Sequence, residues 1–356
     1  MDRMGVGGVR KTKRKGLFWP GIFLLLALAA GQRGLEAALE GAALTAAVLT
    51  MPGGAFRVWR EWRGEAVPEP ERETQEYRAP VPPPEIPEEY RGSLREKQVS
   101  GETANPSFER LSDGWLRNYT SLPGEEIQRI LSGPDTLEIP PGDGPAVLIY
   151  HTHTTESYED QTGEFYDTRH SWRSTDNAEN MAAVGEVLKE ELEKYGISVL
   201  HDVTQHDYPS YNGAYDRSRE TVKRYLQQYP TLTVLIDLHR DAILEQDGTI
   251  WKVAAEIGGR KAAQMMIIAP YGEGSTNVPR WRENLRFAAG LTSAIEKECP
   301  GLMRPIFFAP RNYNLNLSPA ALLFEIGTNG NTLEEAVYTA RLIAGPVARY
   351  LLEHQA

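Results

Sequence analysis

Apolar positions from residue 146 onward fall into short runs and spaced sets, separated by turn residues. Ala146-Val-Leu-Ile-Tyr150 is a brief apolar run of the kind a buried strand shows. Between Asn177 and Tyr195, Met181, Val184, Leu188 and Leu192 share one helical face, with Glu and Lys opposite and Gly196 closing the helix. Ile197–Leu200 predicts the next strand, and Asp216–Tyr229 a helix that Pro230 ends. Leu232–Leu238 predicts a central strand. Lys252–Ile257 and Gln264–Ala269 predict two strands joined through Gly258-Gly259. Trp281–Cys299 predicts a helix, Ala321–Ile326 a strand and Thr332–Leu352 a closing helix. Strands and helices alternate, so the expected class is α/β, a mostly parallel sheet with helices on both faces.

The first part of the chain is patterned differently. The uncharged run Gly16–Ala30 follows Arg10, Lys11, Lys13, Arg14 and Lys15. The run is shorter than the ~20 residues of a usual spanning helix. A cleaved signal peptide and an uncleaved signal anchor both fit; the anchor is favoured, and either exports the body because the positive charge stays inside. Residues 65–88 are dominated by proline and glutamate, which bury no core and favour an extended spacer. Pro140-Pro-Gly-Asp-Gly-Pro145 is turn chemistry and marks the start of the main domain. The expected organisation is a basic cytoplasmic tail over 1–15, a transmembrane signal anchor over 16–31 and an extracytoplasmic spacer over 32–104. A lead-in segment over 105–142 and a catalytic domain over 143–356 follow.

Charge and cysteine narrow the chemistry. The net charge is −11, and the basic residues of the tail make the rest of the chain more acidic still, which argues against a nucleic acid partner. The one cysteine, Cys299, excludes an internal disulfide and a cysteine-rich metal cluster.

Ligands of open α/β sheets gather beyond the carboxyl ends of strands, and three predicted strands end in reactive residues. They supply His151, His153 and Glu156; then Asp237, His239, Arg240 and Asp241; then Glu325, followed by Gly327-Thr-Asn-Gly-Asn331. Imidazole nitrogens and a carboxylate suit zinc, which in catalytic sites takes three protein ligands and keeps one position open. A further carboxylate can accept the proton of the attacking water, and Glu325 is placed for that. Taken singly, each cluster reads as surface polarity or loop capping. A Gly-x-Ser-x-Gly elbow is missing, and Gly258-Gly259 lacks the Lys-Ser/Thr of a phosphate loop.

His151-Thr-His-Thr-Thr-Glu-Ser-Tyr158, His206-Asp-Tyr-Pro-Ser-Tyr-Asn-Gly213, Asp237-Leu-His-Arg-Asp241 and Phe324-Glu-Ile-Gly-Thr-Asn-Gly-Asn331 together resemble the stage II sporulation protein P family. The resemblance covers about residues 143–356. It implies a zinc N-acetylmuramoyl-L-alanine amidase of the amidase-3 type, acting on peptidoglycan at a sporulation septum. Stage II sporulation proteins D and M are the implied partners, and an added endopeptidase activity is implied too. A peptidase restricted to stem-peptide cross-links and an inactive wall-binding scaffold are the alternatives. The resemblance also implies His153 and His239 as metal ligands and Glu325 as the catalytic base, with Asn331 closing its motif. The third ligand falls to Glu156 or Asp176; Glu156 is favoured, since three residues after His153 it can fold back onto the same ion. His151 becomes a supporting group, and Arg240 or Arg311 helps the zinc stabilise the oxyanion, unless these arginines only pair with Asp237 or Asp241.

Overall fold

The computed structural model describes residues 85–134, 136–140 and 144–355. The expected tail and anchor, and most of the Pro/Glu-rich stretch, lie outside these residues. Among the described residues no helix is long and apolar enough to cross a membrane.

Among the described residues, twelve strands form two sheets. They are β1 (Arg91–Lys97), β2 (Phe108–Arg110), β3 (Trp115–Asn118), β4 (Val147–Tyr150), β5 (Phe165–Asp167), β6 (Val199–His201), β7 (Val234–Asp241), β8 (Ile250–Ile257), β9 (Arg260–Ala263), β10 (Met265–Pro270), β11 (Ile306–Ala309) and β12 (Ala320–Thr328). The large sheet has the order β2-β3-β11-β10-β12-β7-β4-β6, and the small one β5-β1-β8-β9. The helices are α1 (Gly124–Leu131), α2 (Met181–Lys194), α3 (Ala214–Gln228), α4 (Trp281–Glu298) and α5 (Leu333–Leu352).

The α/β class holds, but the large sheet is mixed rather than uniformly parallel. Strands β6, β4, β7 and β12 run parallel to one another, whereas β10 is antiparallel to β12. The reason is the connection. Only Gln264 separates β9 from β10, so the chain enters the large sheet directly from the small one, without the crossover helix that parallel neighbours need. The Gly258-Gly259 turn joins β8 to β9 within the small sheet, not to the strand at 265–270.

Side chains alternate across the sheet with the strand period of two. Val147, Ile149, Val234, Ile236, Leu238, Leu322, Phe324 and Ile326 enter the main core, packed with buried residues of α1, α2, α4 and α5. Leu148, Tyr150, Leu235, Ala321 and Leu323 face the other side, under Val222 of α3. Asp237, His239 and Glu325 continue this second series. Helices therefore cover both faces, and the polar strand ends project on the side of α3.

Helix termini are fixed locally. Asn180 accepts from the Ala182 amide to start α2. Thr332 and Glu335 form a reciprocal capping box at the start of α5. A cap of this kind is worth about 1 kcal/mol.

Candidate metal centre

Three side chains named from the strand ends converge. His153, Glu156 and His239 are buried, and one donor atom from each lies within 4.8 Å of the others. His153 Nδ1 is 3.4 Å from Glu156 Oε1, and His239 Nδ1 is 3.4 Å from Glu156 Oε2. Both spacings exceed a good hydrogen bond. They leave two imidazole nitrogens and a carboxylate turned toward one point, a donor set that fits zinc.

The supporting contacts explain the orientation. His239 Nε2 donates to Asp237 Oδ1 at 2.8 Å, which turns Nδ1 toward Glu156. Asp237 also accepts from the Thr152 amide at 2.8 Å and the Thr152 hydroxyl at 2.7 Å. Burial would neutralise Asp237, but the His239 charge and the Thr152 donors hold its carboxyl below the usual range. Burial likewise works against a charged His239, and Asp237 with Glu156 outweighs it, raising His239 well above an ordinary imidazole. Glu156 is held well below an ordinary carboxyl, against burial, by His153, His239 and the Arg240 charge.

Glu325 sits opposite His239 in the parallel pairing of β12 with β7. Its Oε2 is covered and has no hydrogen-bond partner. Burial, together with the Asp241 charge, pushes its carboxyl up to about 8. An uncommitted carboxyl of this kind can hold and release a proton near neutrality. Register breaks just beyond it, between Glu325 and Thr328. Gly327 there has φ 68°, and a Cβ on it would lie 2.7 Å from Asn331 Oδ1. Asn331 itself is buried and spent on the turn, accepting from the Thr328 amide at 2.9 Å and donating to Glu335 at 2.9 Å.

The other named residues fall elsewhere. Asp176 is exposed at the approach to α2, where it accepts from the Ala178 amide at 2.9 Å, and it stands apart from the three converging donors. Arg240, expected at the oxyanion, is instead buried and consumed by main-chain carbonyls. Its Nε donates to Ser157 O and its Nη2 to Trp172 O, both at 2.7 Å. Arg311 is exposed in the turn after β11. His151 is a support. Its Nδ1 donates to the Leu238 carbonyl, next to His239, and its Nε2 lies against His201 Nε2, both at 2.8 Å. Helix α2 covers this pair through Gly185, where a Cβ would lie 2.5 Å from His201 Nε2.

Several site roles went unread in the sequence. The role of Asp237 was signalled by Asp-Leu-His, since residues two apart on a strand share a face. Tyr211 stacks on His153 with ring centroids 4.5 Å apart, and Arg173 lies over Tyr211. Tyr211 belongs to the His206–Gly213 motif, which gave it no role, and Arg173 carries no local signal because it arrives from a loop.

The profile of the family described as Stage II sporulation protein P matches residues 75–348. The chain belongs to that family. It is 31% identical over 274 residues to Stage II sporulation protein P of Bacillus subtilis (strain 168), a match spanning 66% of this chain and 64% of that protein. The aligned stretch is thus less than two thirds of that relative's length. Among solved structures, the apo N-acetylmuramyl-L-alanine amidase Ami1 of Mycobacterium abscessus aligns with TM-score 0.34 and 14% identity, covering 59% of this chain and 98% of that one. The N-acetylmuramoyl-L-alanine amidase AmiC2 of Nostoc punctiforme gives 0.34 and 12%, covering 60% and 98%.

Proposed function

We propose that this protein is a zinc-dependent peptidoglycan hydrolase, an N-acetylmuramoyl-L-alanine amidase acting on septal wall during sporulation. In this reading a membrane anchor at 16–31 holds the catalytic part outside the cytoplasm, and stage II sporulation proteins D and M are its partners. The observation that carries the reading is the juxtaposition of His153, Glu156 and His239 with the uncommitted Glu325 carboxyl. Membership of the sporulation family supplies the setting.

His153, Glu156 and His239 would hold the ion. A zinc bound there supplies Lewis acidity, lowering the pKa of water towards ~7 and polarising a carbonyl. Asp237 keeps the His239 proton on Nε2, so that Nδ1 remains a donor to the metal. Glu325 takes a proton from water as its oxygen adds to the amide carbonyl carbon. It then returns that proton to the amide nitrogen as the C–N bond breaks. The products are a free lactyl carboxylate on the glycan and a free amine on the stem peptide.

The test uses the full chain, loaded with zinc, on purified sacculi with and without the two partner proteins. Mass spectrometry of the released fragments should show lactyl ends on the glycan and stem peptides with a free alanine amine. Cleavage confined to peptide cross-links would replace the amidase by a peptidase. Full zinc with no cleavage under either condition would reduce the protein to a scaffold.

A further inference from the structure

Arg240 does not reach the substrate carbonyl, because its guanidinium is spent on the Ser157 and Trp172 carbonyls. Arg173 is placed otherwise. The Ser157 amide donates to Trp172 O at 3.0 Å and the Ser174 amide to Thr155 O at 2.8 Å, so Arg173 and Glu156 pair across two short antiparallel segments. This pairing carries the Arg173 side chain to the edge of the metal ligands. Its Nη1 donates to Asp207 Oδ2 at 2.6 Å and to Thr155 Oγ1 at 3.1 Å. Its Nη2 lies 3.7 Å from Glu156 Oε1, beyond hydrogen-bond length. Among the described residues, neither Nη2 nor Nε has an acceptor within hydrogen-bond distance. The side chain is 40% exposed, at the rim of a cavity of about 1130 Å³ that Ser157, His170 and Ser174 also line and that His153, Glu156 and His239 do not.

We propose that Arg173 is a catalytic residue of this site, whose free guanidinium edge meets the substrate's carbonyl oxygen as it becomes an oxyanion. The inference rests on the hydrolase reading above. When the water oxygen adds to the carbonyl carbon, the C=O π pair moves onto oxygen, and an N–H of Arg173 donates to it. The pair returns when the C–N bond breaks and the nitrogen takes the proton from Glu325. A charge-assisted donor aimed before the reaction needs no reorganisation at the barrier. That aim is fixed in advance. Asp207 is fully buried at its side chain, and it also accepts the Thr155 amide at 3.2 Å and the Thr155 hydroxyl at 2.6 Å. Tyr211 lies under the guanidinium with 4.9 Å from Cζ to the ring centroid, and the same ring stacks on His153. Arginine, ring and ligand histidine therefore form one layered unit.

A purely structural arginine would serve Asp207 alone, and its loss would not be felt as lost anion binding. The experiment compares wild type, Arg173→Ala and Arg173→Lys as full chains with measured zinc content. A phosphinic dipeptide, a tetrahedral anion, is titrated calorimetrically, and turnover of sacculi is measured separately. Arg173→Ala should keep its zinc, lose about 10²–10³-fold in kcat and bind the phosphinate at least ten-fold more weakly. Millimolar guanidinium should restore part of the rate. Should the alanine variant lose metal or melt early, Arg173→Lys decides: charge kept, fork lost, and phosphinate affinity again reduced ten-fold at full zinc. Unchanged kcat and phosphinate affinity in a zinc-replete variant overturn the proposal. The two readings fail separately. A wild type that binds phosphinate through Arg173 but cleaves no wall loses the amidase reading alone, whereas active wall cleavage indifferent to Arg173 loses this inference alone.

Discussion

At the residue scale the centre separates groups that hold an ion from a group that moves a proton. His239→Ala removes a donor and should abolish stoichiometric zinc, whereas Glu325→Gln, whose Oε2 has no hydrogen-bond partner, should keep zinc and lose turnover. Metal analysis beside a lactyl-release assay distinguishes them, and full zinc in His239→Ala would refute the ligand assignment. Asp176→Ala should alter neither, since that carboxylate only serves the Ala178 amide. Asp237→Asn should weaken zinc by about 10–100-fold, the usual effect of removing a histidine's orienting carboxylate, because Asp237 fixes the proton on His239 Nε2. His151 makes a separate prediction. Burial, then the neighbouring His201, lowers its pKa from 6.5 to about 3. Its folded value lies below its unfolded one, so the unfolded chain takes up the proton first and stability is lost as pH falls below about 6.5. One such group changes the unfolding free energy by about 1.4 kcal/mol per pH unit, or about 2 kcal/mol between pH 6.5 and 5. Urea titrations of wild type and His151→Gln should show the flatter acid limb in the variant. Equal slopes would mean that His151 is not held neutral.

At the element scale, what the sequence makes legible depends on segment length and on which neighbour supplies the contacts. The exits of β4, β7 and β12 were readable because an apolar run ends abruptly in His, Asp or Glu, and strand ends gather ligands. Helices α2, α4 and α5 were readable because each repeats its apolar face over several turns. Strands β2, β3 and β5 hold three or four residues, too few for a period of two to stand out. Strand β1, within the stretch read as spacer, buries Leu94 alone among its seven residues, so its pairing with β5 and β8 leaves almost no apolar trace. The direction of β10 was hidden because it follows from the one-residue link at Gln264 and not from its own composition. In the site, Glu156 and Asp176 were both candidates by sequence, with spacing from His153 favouring Glu156, and the fold of the 151–157 loop separates them. Where β12 leaves register, Gly327 combines a φ of 68° with Asn331 Oδ1 at 2.7 Å from any added Cβ. Gly327→Ala should therefore cost about 1–3 kcal/mol, the range for a side chain forced into that region. A urea midpoint equal to wild type would show that the turn relaxes freely.

At the scale of the whole described molecule, the small sheet buttresses the loop that follows Glu325. Lys252 of β8 donates through Nζ to Glu335 Oε1 of α5 at 2.6 Å, with both side chains buried. The other carboxylate oxygen of Glu335 accepts from Asn331 Nδ2 at 2.9 Å and from the Thr332 amide at 3.1 Å. Asn331 in turn exchanges hydrogen bonds with the main chain of Val253, accepting at 3.3 Å and donating at 3.1 Å. One carboxylate thus ties β8, the turn after β12 and the first turn of α5 together. Nothing in composition foretells this, since Lys252 and Glu335 are far apart in sequence and each alone reads as a surface charge. A buried pair contributes little over an apolar pair of the same shape, but removing one partner strands the other charge at about 3–5 kcal/mol. Lys252→Met should incur that loss, with the Glu335 carboxylate left facing an apolar chain. In Lys252→Met/Glu335→Gln the charge is gone, while the glutamine oxygen can still accept from Thr332 and Asn331, so most of the stability should return. The double variant should then unfold at a urea concentration above that of Lys252→Met alone. If its loss equals or exceeds the sum of the two single losses, the pair does not act as a unit and the small sheet is not fastened to the site through Glu335.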